Sequence, residues 1–542
     1  MALVDSREAG LYWQSRMGNN ADGIGGNCHR YDVVTTDGSG GLSHRRLIVD
    51  MGIKLGGNGH YACQFPSPEG LLAHRQEGLP DDEVPAEALL LTHAHEDHLG
   101  AIRHALDMGF EVPPIHCTAF TAELVRKSLV ASGIDQSQWP AIHVVGAGER
   151  VPVAGAQVEF VPVDHLPGAT ALLIRTPEAS VFHTGDYKFD STLLLGDRAD
   201  PARLRAIGRE GVDVVVSDST AATERGEKVP EQQIRQNLTQ IVADNEGRAV
   251  VAGILGTQLD RLVSLGRAAA ANDRALIIMG KSLVDNVRAL ERTGTDLQAL
   301  IGTQLLTAPE AKDLNADKAL VVTTGAFAQP LAGLTRAAER QPGALWLGAD
   351  TTVVIPQRAI PPVAGAHAAM VAKLEKLGAV VITAERAEAL HYGPVHQSGH
   401  ATEMDTRLLY SLLKPKHLVV PTHGNGHQLE ANARLARSLG VKALPLDVNG
   451  TVLKVDHGGV AVLGREEICR IGAADSGQVK HRPRARRGEG RRSGPAPALY
   501  RYDELDPAGK TVLAADRYRP RPVSPPTLDA AQRADSLAQR SR

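Results

Sequence analysis

Cysteine is scarce. Cys28, Cys63, Cys117 and Cys469 are scattered along 542 residues with no CxxC spacing. That argues against a disulfide framework or a zinc ribbon, and each thiol reads as a small buried hydrophobe in a reducing compartment. Long apolar runs are missing too, so no segment is expected to span a bilayer. Asp5, Arg7 and Glu8 occupy the first residues where a secretory signal would need an apolar stretch, and a cytosolic protein is expected. Charge of one sign is also lacking, since the formal net charge is −3. A coat of positive potential is excluded, but a local basic groove is not. No internal repeat is found.

What is present is size and rhythm. The length suggests roughly two to four domains, with ample apolar content for a core. Short β-branched runs recur, each ending in a polar or Gly-containing turn: "RLIVDMG", "ALLLTHAH", "SVFHTGD", "DVVVSDST", "RAVVAGI", "RALIIMG", "ALVVTTG", "GAVVITAE" and "HLVVPTHG". Such runs read as buried strands. Helical stretches such as "TAELVRKSLVASG", "LDRLVSLGRAAAAN" and "ARLARSLG" lie between them, which predicts α/β layers with functional residues in loops past strand ends. Residues 246–326 look like a compact strand-helix unit. The stretch Lys480–Ala498, "KHRPRARRGEGRRSGPAPA", and the later "RPRPVSPP" predict a largely disordered tail.

The densest chemistry is "LTHAHEDHLG", Leu91–Gly100, which puts His93, His95, Asp97 and His98 within six positions. Imidazole and carboxylate are zinc-type ligands. Four such groups exceed the three protein ligands of an open catalytic site and suit two adjacent metals. Further ligands must come from other strand ends. His165 in "VDHLPGAT", Asp186 in "HTGDYKFD" and His423 in "VVPTHGNG" all follow apolar runs.

This ordered set resembles the metallo-β-lactamase superfamily. The resemblance implies one metal on His93, His95 and His165, a second on Asp97, His98 and His423, and Asp186 bridging them. Asp50 in "LIVDMG" matches an aspartate that supports the ligands from behind. "SDST" with Asp218, "HQSGHA" with His396 and His400, and "PTHG" with His423 resemble the motifs of the β-CASP nucleases. "GKSLVDNVRAL" and "TTGAFAQPLAGL" are similar to segments of ribonuclease J. The resemblance covers about residues 15–470 and implies a ribonuclease J-like enzyme. The fold implied is a metallo-β-lactamase αββα sandwich with an inserted β-CASP α/β domain. Its first part would run over 1–210, the β-CASP domain over 211–390, a return segment over 391–470, and the Arg/Pro-rich tail over 471–542. The family's Ser-Gln-Gly-Glu is replaced by "AFAQ", Ala326–Gln329, "NGH" follows the last "HG", and "GILGTQ", Gly253–Gln258, also departs from the pattern.

The same resemblance implies hydrolysis of RNA phosphodiester bonds, 5′-to-3′ exonucleolytic, endonucleolytic or both, by a hydroxide activated between two Zn2+, with Mn2+ also suited to the ligands. His400 would stabilise the scissile phosphate or protonate the leaving group, with His396 contacting phosphate and Asp218 orienting an imidazole. Ser398 and Gly399 would offer donors to a phosphate. Lys281 and Ser282, in "MGKS", lack the upstream glycine of a Walker loop and are expected along the substrate groove. His183 is expected to support the site from behind. His60, His74, His104, His143, His391 and His427 match no ligand position. RNA is the expected partner, no membrane is, and homodimerisation is left open. The alternatives are a hydrolase of a small ester, lactone or thioester, a DNA nuclease of the same superfamily, and a non-catalytic RNA-binding scaffold.

Overall fold

The computed structural model describes residues 8–18, 24–36, 40–55, 63–75, 83–226, 228–359, 363–446, 448–473 and 499–501. All nine β-branched runs form strands. Two sheets make a sandwich. The first has eight strands in the order Gly459–Arg465, Thr451–Asp456, Gly10–Met17, Cys28–Thr36, Leu42–Val49, Ala86–Leu90, Ile115–Cys117 and Ile142–Val144. The second has six, in the order Leu418–Thr422, Val214–Asp218, Ser180–His183, Thr170–Arg175, Ala156–Pro162 and Arg150–Val153.

The period-2 pleat explains the continuous apolar runs. Leu47 and Val49 point into the sandwich interior, where they meet Phe160, Leu172, Val214, Val216 and Val420. Ile48, Val215 and Val419 point the other way, into a core shared with the covering helices. Both faces of these runs are therefore dry, whereas Gly10–Met17 and Cys28–Thr36 alternate apolar residues with buried polar ones such as Gln14, Arg30 and Asp32.

The third sheet is wholly parallel, ordered Leu305–Thr307, Ala275–Met279, Ala319–Thr324, Ala249–Ile254, Thr351–Ile355 and Val380–Thr383. Helices cover both of its faces. Leu262 and Leu290 lie with Val250 and Ala252 in one apolar cluster, and Leu334 and Leu374 lie with Val251 and Val353 in another. This is the inserted α/β unit of the expected architecture, and it reaches well past residue 326. Its strands span 249–383, whereas Val214–Asp218, beyond the expected boundary at 210, pairs in the second sheet with Ser180–His183 and Leu418–Thr422. The chain thus adds adjacent strands to the second sheet on both sides of the insert, Val214–Asp218 before it and the edge strand Leu418–Thr422 after it.

A small fourth sheet joins Lys54–Leu55, Cys63–Pro66, Arg470–Ala473 and Leu499–Arg501. The Arg- and Pro-rich runs expected to be disordered, and His60, lie outside the described residues. Among the described residues no helix is long and apolar enough to cross a membrane.

Candidate metal centre

The site forms where strands end together. His93 and His95 follow the strand Ala86–Leu90, Asp186 follows Ser180–His183, Asp218 ends Val214–Asp218, and His423 follows Leu418–Thr422. Local sequence fixes each exit. His95 caps the one-turn helix Glu96–Leu99, which carries Asp97 and His98. Thr402 and Asp405 form a capping box two residues after His400. Asn425 and Gln428 form another two residues after His423. The "NGH" departure thus has a structural reason: Asn425 satisfies the free N–H groups of the helix Gly426–Ser438. Asp50 and His423 hold φ values of 58° and 51°. Left-handed non-glycine backbone is uncommon and tends to collect at functional sites. Gly52 is required by close approach, because a Cβ there would overlap the Asp97 carbonyl.

Three sets of side chains converge: His93, His95, His165 and Asp186; Asp97, His98, Asp186 and His423; and Asp186, Asp218, His400 and His423. In the first, His93 Nε2 and His165 Nε2 each lie 3.1 Å from His95 Nδ1. Asp186 Oδ2 is 3.5 Å from His93 Nε2 and 3.7 Å from His165 Nε2. In the second, Asp97 Oδ2 is 3.2 Å from His423 Nε2, and Asp186 Oδ1 is 3.3 Å from His98 Nε2 and 2.8 Å from His423 Nδ1. The two oxygens of Asp186 therefore face different sets.

Hydrogen bonds behind these groups set their protonation. Thr92 Oγ1 donates to Asp50 Oδ2, which leaves that hydroxyl free to accept from His93 Nδ1 at 3.0 Å. His165 Nδ1 donates to the Gly399 carbonyl at 2.7 Å. Both imidazoles therefore turn an Nε2 lone pair toward His95. A single N–H at His95 Nδ1 can satisfy one of these lone pairs, whereas a cation among the three rings satisfies both. Asp186 Oδ1 is buried and faces only imidazole nitrogens, His423 Nδ1 at 2.8 Å and His98 Nε2 at 3.3 Å, so positive charge is what this oxygen needs. The donor set therefore fits a divalent cation of N/O preference.

Electrostatics separate the two ligand sets. Burial, before any neighbour, pushes His95 down to about 4 and His165 down to about 3, and holds His93 well below the usual value. These rings are neutral and ligand-competent. For His98, burial is outweighed by Asp186, Asp50 and Asp97, which raise it to about 10. Burial is likewise outweighed at His423, where Asp186, Asp218 and Asp97 raise the ring well above its usual value. The carboxylates of this second set demand positive charge, whether a proton or a metal supplies it.

Asp50 lies where the sequence expectation put it. It is fully buried and bonds to His98 Nδ1 at 2.7 Å and to the Thr92 backbone N–H at 2.8 Å. Asp218 accepts from His400 Nδ1 at 2.9 Å and from Thr220. Burial works against ionising this carboxyl, but His400 overrides it and holds the pKa near 2. His400 also stands 3.7 Å from Asp186 Oδ2 and is one-fifth exposed, which leaves its ring open to a substrate.

Other expected site residues are disposed differently. His396 joins none of the converging sets; its Nδ1 is buried without a hydrogen bond, and burial, then Arg261, Arg358 and Lys188, push it down to about 3. Ser398 Oγ accepts from the His400 N–H. Gly399 offers its carbonyl to His165, a bond that does not engage its N–H. Lys281 and Ser282 begin the helix Lys281–Arg292 of the insert. Lys281 pairs with Asp285 at 2.7 Å, and the Ser282 carbonyl accepts from Lys127 of the sandwich. His183 lies in the sandwich interior, bonded to Tyr31 and edge-on to His29. His104 stacks on Phe65, His143 on His116, and His74 meets Phe110 edge-on.

Sequence reading missed Thr92, Thr220 and Asn27. The two threonines sit inside motifs already singled out. Asn27, following the glycines of "GIGGN", bonds to the Asp97 carbonyl and lies 2.9 Å from His98 Nε2. Nothing in its neighbourhood along the chain announced that contact.

Comparison with known proteins agrees with this layout. A Beta-lactamase superfamily domain matches residues 46–249. A Ribonuclease J beta-CASP domain matches 246–376, and a Zn-dependent metallo-hydrolase RNA specificity domain matches 394–445. Ribonuclease J of Sinorhizobium meliloti is 33% identical over 443 residues, covering 80% of this chain and 74% of the relative. Ribonuclease J of Mycolicibacterium smegmatis is 29% identical, covering 87% and 84%. That of Pyrococcus abyssi is 29% identical, covering 76% and 92%. A protein of unknown function from Enterococcus faecalis V583 shares the fold, with a TM-score of 0.56 at 16% identity over 82% of this chain and all of that one.

Proposed function

The chain belongs to the ribonuclease J family of metallo-β-lactamase-fold hydrolases, and from that premise we propose that it is a metal-dependent ribonuclease cleaving RNA phosphodiester bonds. The observation that carries the reading is the third converging set. His400, paired with Asp218 and partly open, stands beside the carboxylate that faces both candidate cation positions. A small-ester hydrolase needs the cations but gives no use for that pair or for the insert.

In this reading His93, His95 and His165 hold one cation, Asp97, His98 and His423 hold a second, and Asp186 serves both. Two zinc ions suit the donors, and manganese is the alternative. Bound there, such cations supply Lewis acidity at a phosphoryl oxygen and lower the pKa of a water. The protein's own residues do the rest. Asp218 holds the His400 Nδ1 proton, so Nε2 faces the substrate. Burial lowers the His400 pKa, but Asp218 and Asp186 outweigh it and raise it above the usual value. The ring is then poised to carry a proton to a leaving oxygen or to offset phosphate charge. Ser398, Lys281 and Ser282 contribute phosphate contacts, and His396 lines the approach. A cytoplasmic location belongs to the same proposal.

The test is cleavage of a 5′-monophosphate RNA and its DNA equivalent, each labelled at either end, by wild type, His95→Ala and His400→Ala, with metal counted in each protein. RNA cleavage by wild type and none by either variant supports the reading, and the labels give direction. Metal binding without cleavage of either nucleic acid would favour the small-substrate hydrolase.

A further inference from the structure

Residues 394–400 form a strap that runs from the insert to the candidate metal centre, and every polar contact along it is specific. The Pro394 carbonyl accepts from Asn237 Nδ2 at 2.6 Å, on the helix Glu231–Ala243. The Val395 carbonyl accepts from Arg261 Nη1 at 2.8 Å, on the helix Leu259–Ala270. Arg261 is almost fully buried and also binds Glu231 through Nε and Nη2 and the Pro356 carbonyl through Nη1. Gln397 Oε1 accepts from the Val229 N–H. At the far end the Gly399 carbonyl accepts from His165 Nδ1, and His400 pairs with Asp218. Gly399 is not a turn glycine, for its φ is not positive. Its approach is close, since a Cβ would stand 3.2 and 3.3 Å from His165 Cε1 and Nδ1, and the ring would have to give way.

We propose that Gly399, Asn237 and Arg261 are positioning residues for His165, so that cation affinity at the His93–His95–His165 set and RNA engagement by the strap are coupled. The coupling rests on the ribonuclease reading; the positioning of His165 does not. The reasoning is geometric. The tautomer and tilt of His165 are fixed by one backbone carbonyl. That carbonyl belongs to the segment carrying Ser398 and His400, and the segment is anchored on two helices of the insert. RNA seated on Ser398 and His400 holds the strap in place, and with it the acceptor that orients His165. By linkage, a cation that locks His165 must then favour the RNA-competent strap by the same factor.

The experiment is a zinc titration against a chromophoric chelator, with wild type, Gly399→Ala and Asn237→Ala. Each is run alone and with an uncleavable 2′-O-methyl oligoribonucleotide whose own binding is followed by fluorescence anisotropy. Loss of a group that orients a metal-binding histidine costs about 10- to 100-fold in metal affinity. Gly399→Ala keeps the carbonyl but sets a Cβ against the His165 ring and tilts it off that acceptor; zinc binding is expected to weaken by about 10-fold on that scale, with the metal-free protein still folding cooperatively at a slightly lower melting temperature. The oligonucleotide is expected to tighten zinc binding by wild type, and Asn237→Ala to abolish that gain. Wild-type zinc affinity in Gly399→Ala overturns the positioning of His165. Oligonucleotide that binds without changing zinc affinity overturns the coupling and leaves the ribonuclease reading standing. Failure of the oligonucleotide to bind, together with failure to cleave RNA, sinks that reading and the coupling with it, while the Gly399→Ala arm still decides the positioning.

Discussion

The sandwich and the insert carry their polar chemistry in opposite ways. At the strand ends of the sandwich, His93, His98, Asp186, Asp218 and His423 are buried, and all but Asp186 are braced by Asp50, Thr92 or Thr220. At the strand ends of the insert, the polar groups expected in the groove are exposed and self-satisfied. Lys281 has 88% of its side chain in solvent and pairs with Asp285 on its own helix. A cation site needs desolvated, oriented lone pairs and so consumes whole layers of structure. Contact with a phosphate backbone needs only mobile positive charge and free donors. Substitutions in the sandwich should therefore be severe and read out in metal, and those in the insert mild and read out in salt.

The largest effect is expected at the carboxylate common to all three sets. Asp186→Asn keeps the shape but replaces one anionic oxygen with an NH2 group facing imidazoles. Activity should fall by at least about 10³-fold, with metal content by elemental analysis dropping in parallel. A variant that kept full metal and near-normal turnover would break the assignment of Asp186 to both positions.

Next is the His400–Asp218 pair, proposed to handle phosphate. Asp218→Asn should leave metal content intact yet lower kcat by about 10²-fold, within the range a general acid contributes, because His400 loses the acceptor for its Nδ1 proton. Loss of metal in this variant would instead make Asp218 a ligand. Asp50→Asn sharpens the comparison from behind the ligands. Asparagine tolerates the left-handed φ but presents N–H to His98 Nδ1, and metal affinity should fall about 10- to 100-fold. Unchanged affinity would show that the peptide bonds of the loop, not Asp50, hold His98.

How much of this was legible in the sequence follows from the same contrast. The nine apolar runs are strands because their two faces are both dry, and continuous hydrophobicity records that. The residues of the converging sets stood out because few side chains offer lone pairs of the right kind, so their type betrays them at any distance along the chain. The bond from His165 to Gly399 was not legible, because it uses a backbone carbonyl, which every residue owns and no sequence marks. Asn27 escaped for a related reason: it reaches Asp97 and His98 from seventy positions away, as a neutral amide among glycines. The extent of the insert was harder still. Val214–Asp218 looks like any buried strand, and only its register against Ser180–His183 and Leu418–Thr422 assigns it to the sandwich.

Between the two regions lies Asp260, at the start of an insert helix, whose Oδ1 accepts the backbone N–H groups of Leu194 and Leu195 in the sandwich. Burial, then the Glu231 charge, raise its carboxyl to about 6 from an ordinary 3.8. The folded protein therefore holds this proton between about pH 4 and 6 while the unfolded chain releases it. Stability should fall as pH rises through that window, with the full cost, at most ~3 kcal/mol, present above it. Asp260→Asn keeps the acceptor oxygen and removes the charge. Its melting temperature should match wild type near pH 4 and exceed it at pH 7.5. A difference that does not vary with pH would show that this junction carries no titrating strain.

The smallest effect belongs to Lys281. Its ammonium is exposed, and its bond to Asp285 spans one helical turn in solvent, a pair worth little in itself. Removing it should not alter stability, metal content or kcat. If the lysine meets the RNA backbone, Lys281→Ala should raise KM a few-fold at low salt and reduce the slope of log affinity against log salt by roughly one counterion. The neighbouring Asp285 gives an internal control, because Asp285→Ala frees the lysine and should shift KM the other way. Equal KM and equal salt slopes in all three proteins would move the groove off this helix. The exposed face of the insert would then be a solvated surface, and the contrast with the sandwich would be one of function and not only of burial.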